Sequence, residues 1–274
     1  MPAPRLTVLM YHALLATPAA GPDRVHIGVA QFAQQLAWLH AEGYEVITVA
    51  EWDLRRTRAP RPGPAVVLTF DDGYHSLLEL AAPLLQQYGF AATLFLTTGV
   101  VDQPDYTAAP TLARAVPPGE RPLTWAEVRT LRDLGWDIQA HSCTHPAHAR
   151  LPAPELQMEL LKSRRIIEQQ LGTTVEFYAF PFGNYDRHAL RTLHKVGYAA
   201  GFSVHGGPIG PDSDRRRLPR IEINTGCAPA VFARLVRTGY ASTADQYRAG
   251  LRNTLFHFPL VKDLIQKAVG RLIN

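Results

Sequence analysis

Ala65-Val66-Val67-Leu68-Thr69-Phe70-Asp71-Asp72-Gly73 is an apolar, β-branched run that stops on two adjacent carboxylates. Such a run predicts a strand over 65–70 covered on both faces, as in a parallel sheet flanked by helices. Two carboxylates at its end are costly if both are buried and ionised, so a positive partner such as a divalent cation is expected beside them. Successive side chains of an extended segment point in different directions, so one acid can bind a metal while its neighbour faces a substrate. Paired acids at a strand end also serve as turn and helix-cap residues, and alone they do not choose between these uses.

Working outward, segments 6–10, 44–49, 92–96, 137–140, 176–180, 199–203 and 220–223 read as further short strands. Segments 31–42, 77–88, 125–134, 153–171 and 187–196 read as helices, the first with Phe32, Leu36 and Leu39 on one face and a stop at Gly43. Strands alternating with helices predict an α/β fold with a mostly parallel sheet, and six or more such units suggest a distorted or incomplete (β/α) barrel. Residues 101–123 hold five prolines and read as an irregular loop, either lining the mouth of the barrel or forming a surface insertion.

Of the 274 residues, 46% are hydrophobic and 19% charged, the profile of a globular chain. Cys143 and Cys227 are too few for a disulfide framework. The formal net charge of +4 is mild, and no long basic run is interleaved with aromatics, which argues against nucleic acid as a partner. Neither a leader segment nor an apolar window of transmembrane length is legible, so a cytoplasmic location is expected. We expect a main domain over 1–225 and a helical extension over 226–274. The tail at 254–274 is amphipathic, suited to packing on the barrel or to peripheral contact with a membrane. The sequence carries no signal for an oligomeric state.

His141-Ser142-Cys143-Thr144-His145 follows the strand at 137–140, and imidazoles four residues apart can face one metal ion, although they are also ordinary polar loop residues. Asp72, His141 and His145 together offer two nitrogens and one oxygen, the donor set of open catalytic zinc sites and of related iron or cobalt sites. Phe180-Pro181-Phe182-Gly183 ends another strand, where Pro181 fixes a turn and the Phe182 N–H can point at an oxyanion; a plain hydrophobic turn is the alternative. His12 ends the first strand, after Tyr11. All four motifs therefore end strands, and strand ends of one polarity converge on one mouth of a barrel.

These strings resemble the polysaccharide deacetylases, carbohydrate esterase family four, whose shared unit is the NodB homology domain. The likeness rests on Thr69-Phe70-Asp71-Asp72-Gly73, His141-Ser142-Cys143-Thr144-His145-Pro146 and Phe180-Pro181-Phe182-Gly183, with Ala91–Leu96 and Leu123-Thr124-Trp125 as flanking text, and spans roughly 5–225. It implies a distorted (β/α) barrel that hydrolyses acetyl groups on sugars. It implies one divalent metal, zinc first and cobalt, nickel or iron as alternatives, held by Asp72, His141 and His145, with Asp71 as base and the Phe182 N–H at the oxyanion.

Two departures matter. Many members place an arginine where this chain has Ala179, and Arg220 is the candidate substitute. The usual acid histidine lies near the carboxyl end of the domain, where only His257 is available without its expected context. Leu9-Met10-Tyr11-His12 instead resembles the circularly permuted branch, which includes deacetylases of poly-N-acetylglucosamine and makes His12 the acid. Pro181, Tyr11 and Arg220 are expected to support the site or the substrate, an N-acetylated sugar. Rival readings are hydrolysis of a cyclic imide or ureide, and a non-catalytic glycan-binding protein.

Overall fold

The computed structural model describes residues 6–17, 25–56 and 63–247. His257 and the amphipathic 254–274 tail lie outside the described residues. The chain runs through β1 (Thr7–Tyr11), β2 (Leu14–Leu15), β3 (Ile27–Gly28), α1 (Val29–Ala41), β4 (Glu45–Ile47), α2 (Val49–Arg56) and β5 (Ala65–Asp72). It continues through α3 (Ala82–Gln87), β6 (Thr93–Leu96), α4 (Trp125–Asp133), β7 (Asp137–Ala140), α5 (Ala153–Leu171) and β8 (Phe177–Ala179). The last elements are α6 (Arg187–Lys195), β9 (Ala200–Phe202), β10 (Ile221–Glu222) and α7 (Pro229–Thr238).

All pairings of the main sheet are parallel, in the order β10-β1-β5-β6-β7-β8-β9. On the edge of β5 opposite β1, β4 takes the first half, from Ala65 to Val67, and β6 takes the second, from Thr69 to Asp72. Residues 218–222 tie the two ends of the sheet together: Leu218 bridges to Phe202 of β9, while Ile221 and Glu222 pair with Leu9 and Met10 of β1. The curled sheet with its helices is a distorted (β/α) barrel.

The period-two alternation of strands sorts side chains into two cores. Leu9, Tyr11, Leu68, Phe70, Ile138 and Ala140 join the layer under the helices. Val8, Val67, Phe95, Phe177, Ala179, Phe202 and Leu218 form a second cluster that fills the barrel. Residues that share the parity of this second set and lie nearer the strand ends are aimed into the mouth.

Local chemistry accounts for several boundaries. Thr124 and Glu127 form a capping box that starts α4. Gly172 closes α5 in a left-handed conformation. The strand read at 44–49 stops at Ile47, because the Thr48 hydroxyl accepts the Glu51 N–H at 3.1 Å and begins a helix the sequence reading lacked. The helix read at 77–88 divides into a π-helical turn, Leu77–Ala81, and α3; Pro83 in the first turn of α3 has no N–H to donate to the regular pattern. Phe232, Leu235 and Val236 bury α7 against the outer core, and Thr7 donates to the Val236 carbonyl at 3.0 Å. Among the described residues no helix is long and apolar enough to cross a membrane.

Candidate active site

Asp71 continues the parity of Val67 and Thr69 and therefore enters the barrel mouth. Asp72 is left-handed at φ +77°, a conformation aspartate tolerates better than most residues, and so leaves the strand alternation. Both are 2% exposed. His141 follows β7 with the parity of Gln139, and His145 follows one loop later; both are buried.

The Oδ1 atom of Asp72 lies 3.5 Å from Nε2 of His141 and 3.4 Å from Nε2 of His145. One ligand atom from each residue falls within 4.8 Å of the others. Two atoms about 2.1 Å from a shared tetrahedral zinc ion stand about 3.4 Å apart, so the spacing fits one ion. Asp72 Oδ1 is also buried with no hydrogen-bond partner among the described residues, a costly state that a cation would relieve. Burial and the neighbouring Asp71 push the Asp72 pKa well up, while burial pushes His141 down and His145 down to about 2. Two imidazole nitrogens and one carboxylate oxygen are a donor set that suits a metal.

Both imidazoles are oriented from behind. The carbonyl of Ala179 can only accept, so His141 donates Nδ1–H to it at 2.9 Å and presents Nε2. The Thr111 hydroxyl donates to the carbonyl of His145 and accepts from its Nδ1 at 3.3 Å, which likewise leaves Nε2 forward. Thr111 belongs to the proline-rich 101–123 segment, which thus reaches the site. Nothing in its sequence context marks Thr111.

Arg220, 1% exposed, enters from the segment that ties the sheet together. Its Nη1 and Nη2 donate to Oδ1 and Oδ2 of Asp71 at 2.6 and 2.8 Å. Burial alone would raise the Asp71 pKa, but the guanidinium, with His141 and His12, holds it down to about 2. Ala179 itself sits in the barrel core.

His12 leaves β1 with the parity of Val8, and since Tyr11 pairs with Phe70, it emerges level with Asp71. Its Nδ1 is buried without a hydrogen-bond partner among the described residues, and its ring meets His26 edge-on at 6.3 Å. Burial, opposed by Asp71, lowers its pKa to about 4. Tyr11 has the opposite parity: its ring packs on Phe32 and Phe70, and its hydroxyl donates to Gln35 at 2.9 Å, so it supports β1 from within the core.

Pro181 is buried at the end of β8, and Phe182 is left-handed at φ +59°. Phe182 is 55% exposed, and its ring stands edge-on to His145 at 4.6 Å. Gly183, at φ +60°, is required here: a Cβ would come within 2.3 Å of Val204 Cγ2 and 2.7 Å of its backbone nitrogen. Four of the five left-handed residues other than glycine in the described chain are Asp72, Ser142, His145 and Phe182, so backbone strain gathers at this mouth.

Known proteins place the chain. Poly-β-1,6-N-acetyl-D-glucosamine N-deacetylase of Staphylococcus aureus (strain MSSA476) is 24% identical over 209 residues, spanning 72% of this chain and 68% of its own. A Streptococcus pyogenes deacetylase, PplD, solved with acetate, superposes with a TM-score of 0.74 at 22% identity, over 88% of this chain and all (100%) of that one. BC0361, a polysaccharide deacetylase from Bacillus cereus, gives 0.70 at 23% identity, over 85% of this chain and 69% of its own. At these identities the two structures speak for the fold. The model of the polysaccharide deacetylase family matches residues 58–201, more than half of the sequence and both the Asp71-Asp72 and His141–His145 motifs, and the chain therefore belongs to the polysaccharide deacetylase family.

Proposed function

We propose that the protein removes the N-acetyl group from an amino-sugar residue of the N-acetylglucosamine type, with Asp72, His141 and His145 holding one divalent ion, zinc first. The observation that carries this reading is the buried cluster of these three residues, with its unpaired Asp72 oxygen, beside an ion-paired Asp71. Membership in the family and the N-acetylglucosamine polymer named for the Staphylococcus aureus relative support the substrate class.

When bound, such an ion supplies Lewis-acid polarisation of the acyl oxygen and acidifies the attacking water. Asp71 is ionised at neutral pH and fixed by two hydrogen bonds, so it is ready to accept the proton of that water. The Phe182 N–H donates to the oxyanion, a contact typically worth about 10²–10³ in rate. The proton that Asp71 takes from the water is relayed to His12, which burial keeps neutral at rest, and His12 passes it to the departing amine. Acetate and a free glucosamine-type amine result. Tight packing around Asp71, His141 and Arg220 keeps bulk water from competing for these contacts.

Metal-quantified protein incubated with N-acetylglucosamine oligomers should release acetate. Chelation should abolish release and zinc should restore it, and Asp71→Asn should lose turnover while keeping its metal. Release that survives chelation, or an Asp71→Asn variant of undiminished rate, would sink the mechanism; turnover of a cyclic imide but of no sugar would move the substrate outside glycans.

A further inference from the structure

The loop that carries both histidines has a second anchor that no strand or motif supplies. Glu159, on α5, accepts hydrogen bonds from the Ser142 hydroxyl, from the Cys143 N–H at 2.7 Å, from the Thr144 N–H at 3.0 Å and from the Thr144 hydroxyl at 2.8 Å. One carboxylate thus accepts at least one hydrogen bond from every residue between the two imidazoles. On the other side, the loop is pinned by Thr98 N–H to the Ser142 carbonyl at 3.1 Å and Gly99 N–H to the Cys143 carbonyl at 2.9 Å. That approach is so close that a Cβ on Gly99 would lie 2.5 Å from the Cys143 oxygen.

This grip has a physical purpose. Ser142 and His145 are both left-handed, at φ +76° and +58°, without being glycine. Such residues persist only where surrounding contacts over-determine them. Relaxing either would rotate the segment between the histidines and separate their Nε2 atoms. Glu159 also follows Leu156 by three residues and precedes Ser163 by four, both on the buried face of α5, so a carboxylate sits where the helix stripe would otherwise be apolar. The helix itself is secured nearby, where Tyr198 donates to the Leu160 carbonyl at 2.9 Å.

We propose that Glu159 is a positioning residue for metal binding: its carboxylate holds residues 142–144 in the backbone conformation that aims His141 and His145 at one point. The proposal rests on reading Asp72, His141 and His145 as the metal site. The test is zinc affinity, by chelator competition on the full chain below the melting range of each variant. Glu159→Gln, which turns an amide nitrogen toward donors, should weaken binding about 10–100-fold while the protein stays folded by circular dichroism. Thr144→Val removes one donor and should shift affinity in the same direction by less; it carries the test if Glu159→Gln does not fold. Met158→Ala, an exposed neighbour, should bind as wild type. A folded Glu159→Gln protein that binds zinc within about twofold of wild type, even with a lower melting point, would reduce Glu159 to fold support and overturn the proposal. So would an unchanged Thr144→Val if the glutamine variant cannot fold. Wild type that binds no divalent ion would defeat the metal site and the clamp with it. Wild type that binds zinc but releases no acetate would defeat the deacetylase reading alone, and the affinities would still decide the clamp.

Discussion

Arg220 and Asp71, 149 residues apart in the chain, meet as a two-armed ion pair of 2.6 and 2.8 Å inside the barrel. The guanidinium is held on its other sides by the Ser203 carbonyl and the Thr69 hydroxyl, each at 3.3 Å, and lies 5.0 Å from the centre of the Phe95 ring. Its planar fork therefore has one available orientation, and the carboxylate it grips inherits it.

Breaking one side of this pair should be worse than removing both. Arg220→Met leaves a buried carboxylate uncompensated, a change that typically costs about 3–5 kcal/mol, and acetate release should vanish with it. The double variant Arg220→Met/Asp71→Asn has no stranded charge and should recover much of the stability but none of the activity. Urea unfolding of wild type, Asp71→Asn, Arg220→Met and the double variant checks this; a double variant no more stable than Arg220→Met would show that the guanidinium does not compensate Asp71. The sign with pH follows from the same contact. With its pKa held to about 2, below the ordinary 3.8, Asp71 contributes stability that is complete above about pH 4 and lost as pH falls toward 2. Arg220→Met should lose that contribution.

Thr111 links the proline-rich segment to the candidate metal site through a single hydroxyl. Thr111→Val removes the donor to the His145 carbonyl and the acceptor of its Nδ1–H, freeing the ring to turn. Metal affinity should fall about 10–100-fold with little change in folding stability. Chelator competition measures it, and unchanged affinity would mean that the loop alone orients His145.

His148 predicts a pH-dependent stability. It is 1% exposed, donates Nδ1–H to the Pro146 carbonyl at 2.8 Å and accepts at Nε2 from the Tyr178 hydroxyl at 2.5 Å. Burial lowers its pKa from 6.5 to about 4. The unfolded chain therefore binds this proton first as pH drops, so the contribution is complete above about pH 6.5 and is lost between there and about pH 4. A shift of this size is worth on the order of 3 kcal/mol. Stability of wild type should fall more between pH 7 and 5 than that of His148→Gln. His12 and His145 titrate in both proteins and drop out of the difference; equal slopes would show that His148 has the same proton occupancy folded and unfolded.

Much of this molecule was legible along the chain. The apolar run into Asp71 and Asp72, the histidine spacing at 141 and 145, and the proline turn at 181 are contiguous signals, because strand alternation and turn chemistry act over a few residues. The same alternation separates His12, which faces the mouth, from Tyr11, which faces the helix layer. What the tertiary structure decided is which distant groups complete the site, and that Arg220, a candidate in the sequence, is the one that reaches Asp71. The guanidinium beside Asp71 comes from residue 220 because residues 218–222 join the two ends of the sheet. The carbonyl of Ala179, the hydroxyl of Thr111 and the carboxylate of Glu159 reach the histidines from a strand, a loop and a helix whose sequences carry no mark of that duty. Local patterns are set by steric and hydrogen-bonding rules between near neighbours, whereas these contacts exist only once folding brings segments from 15 to 149 residues apart within hydrogen-bond distance.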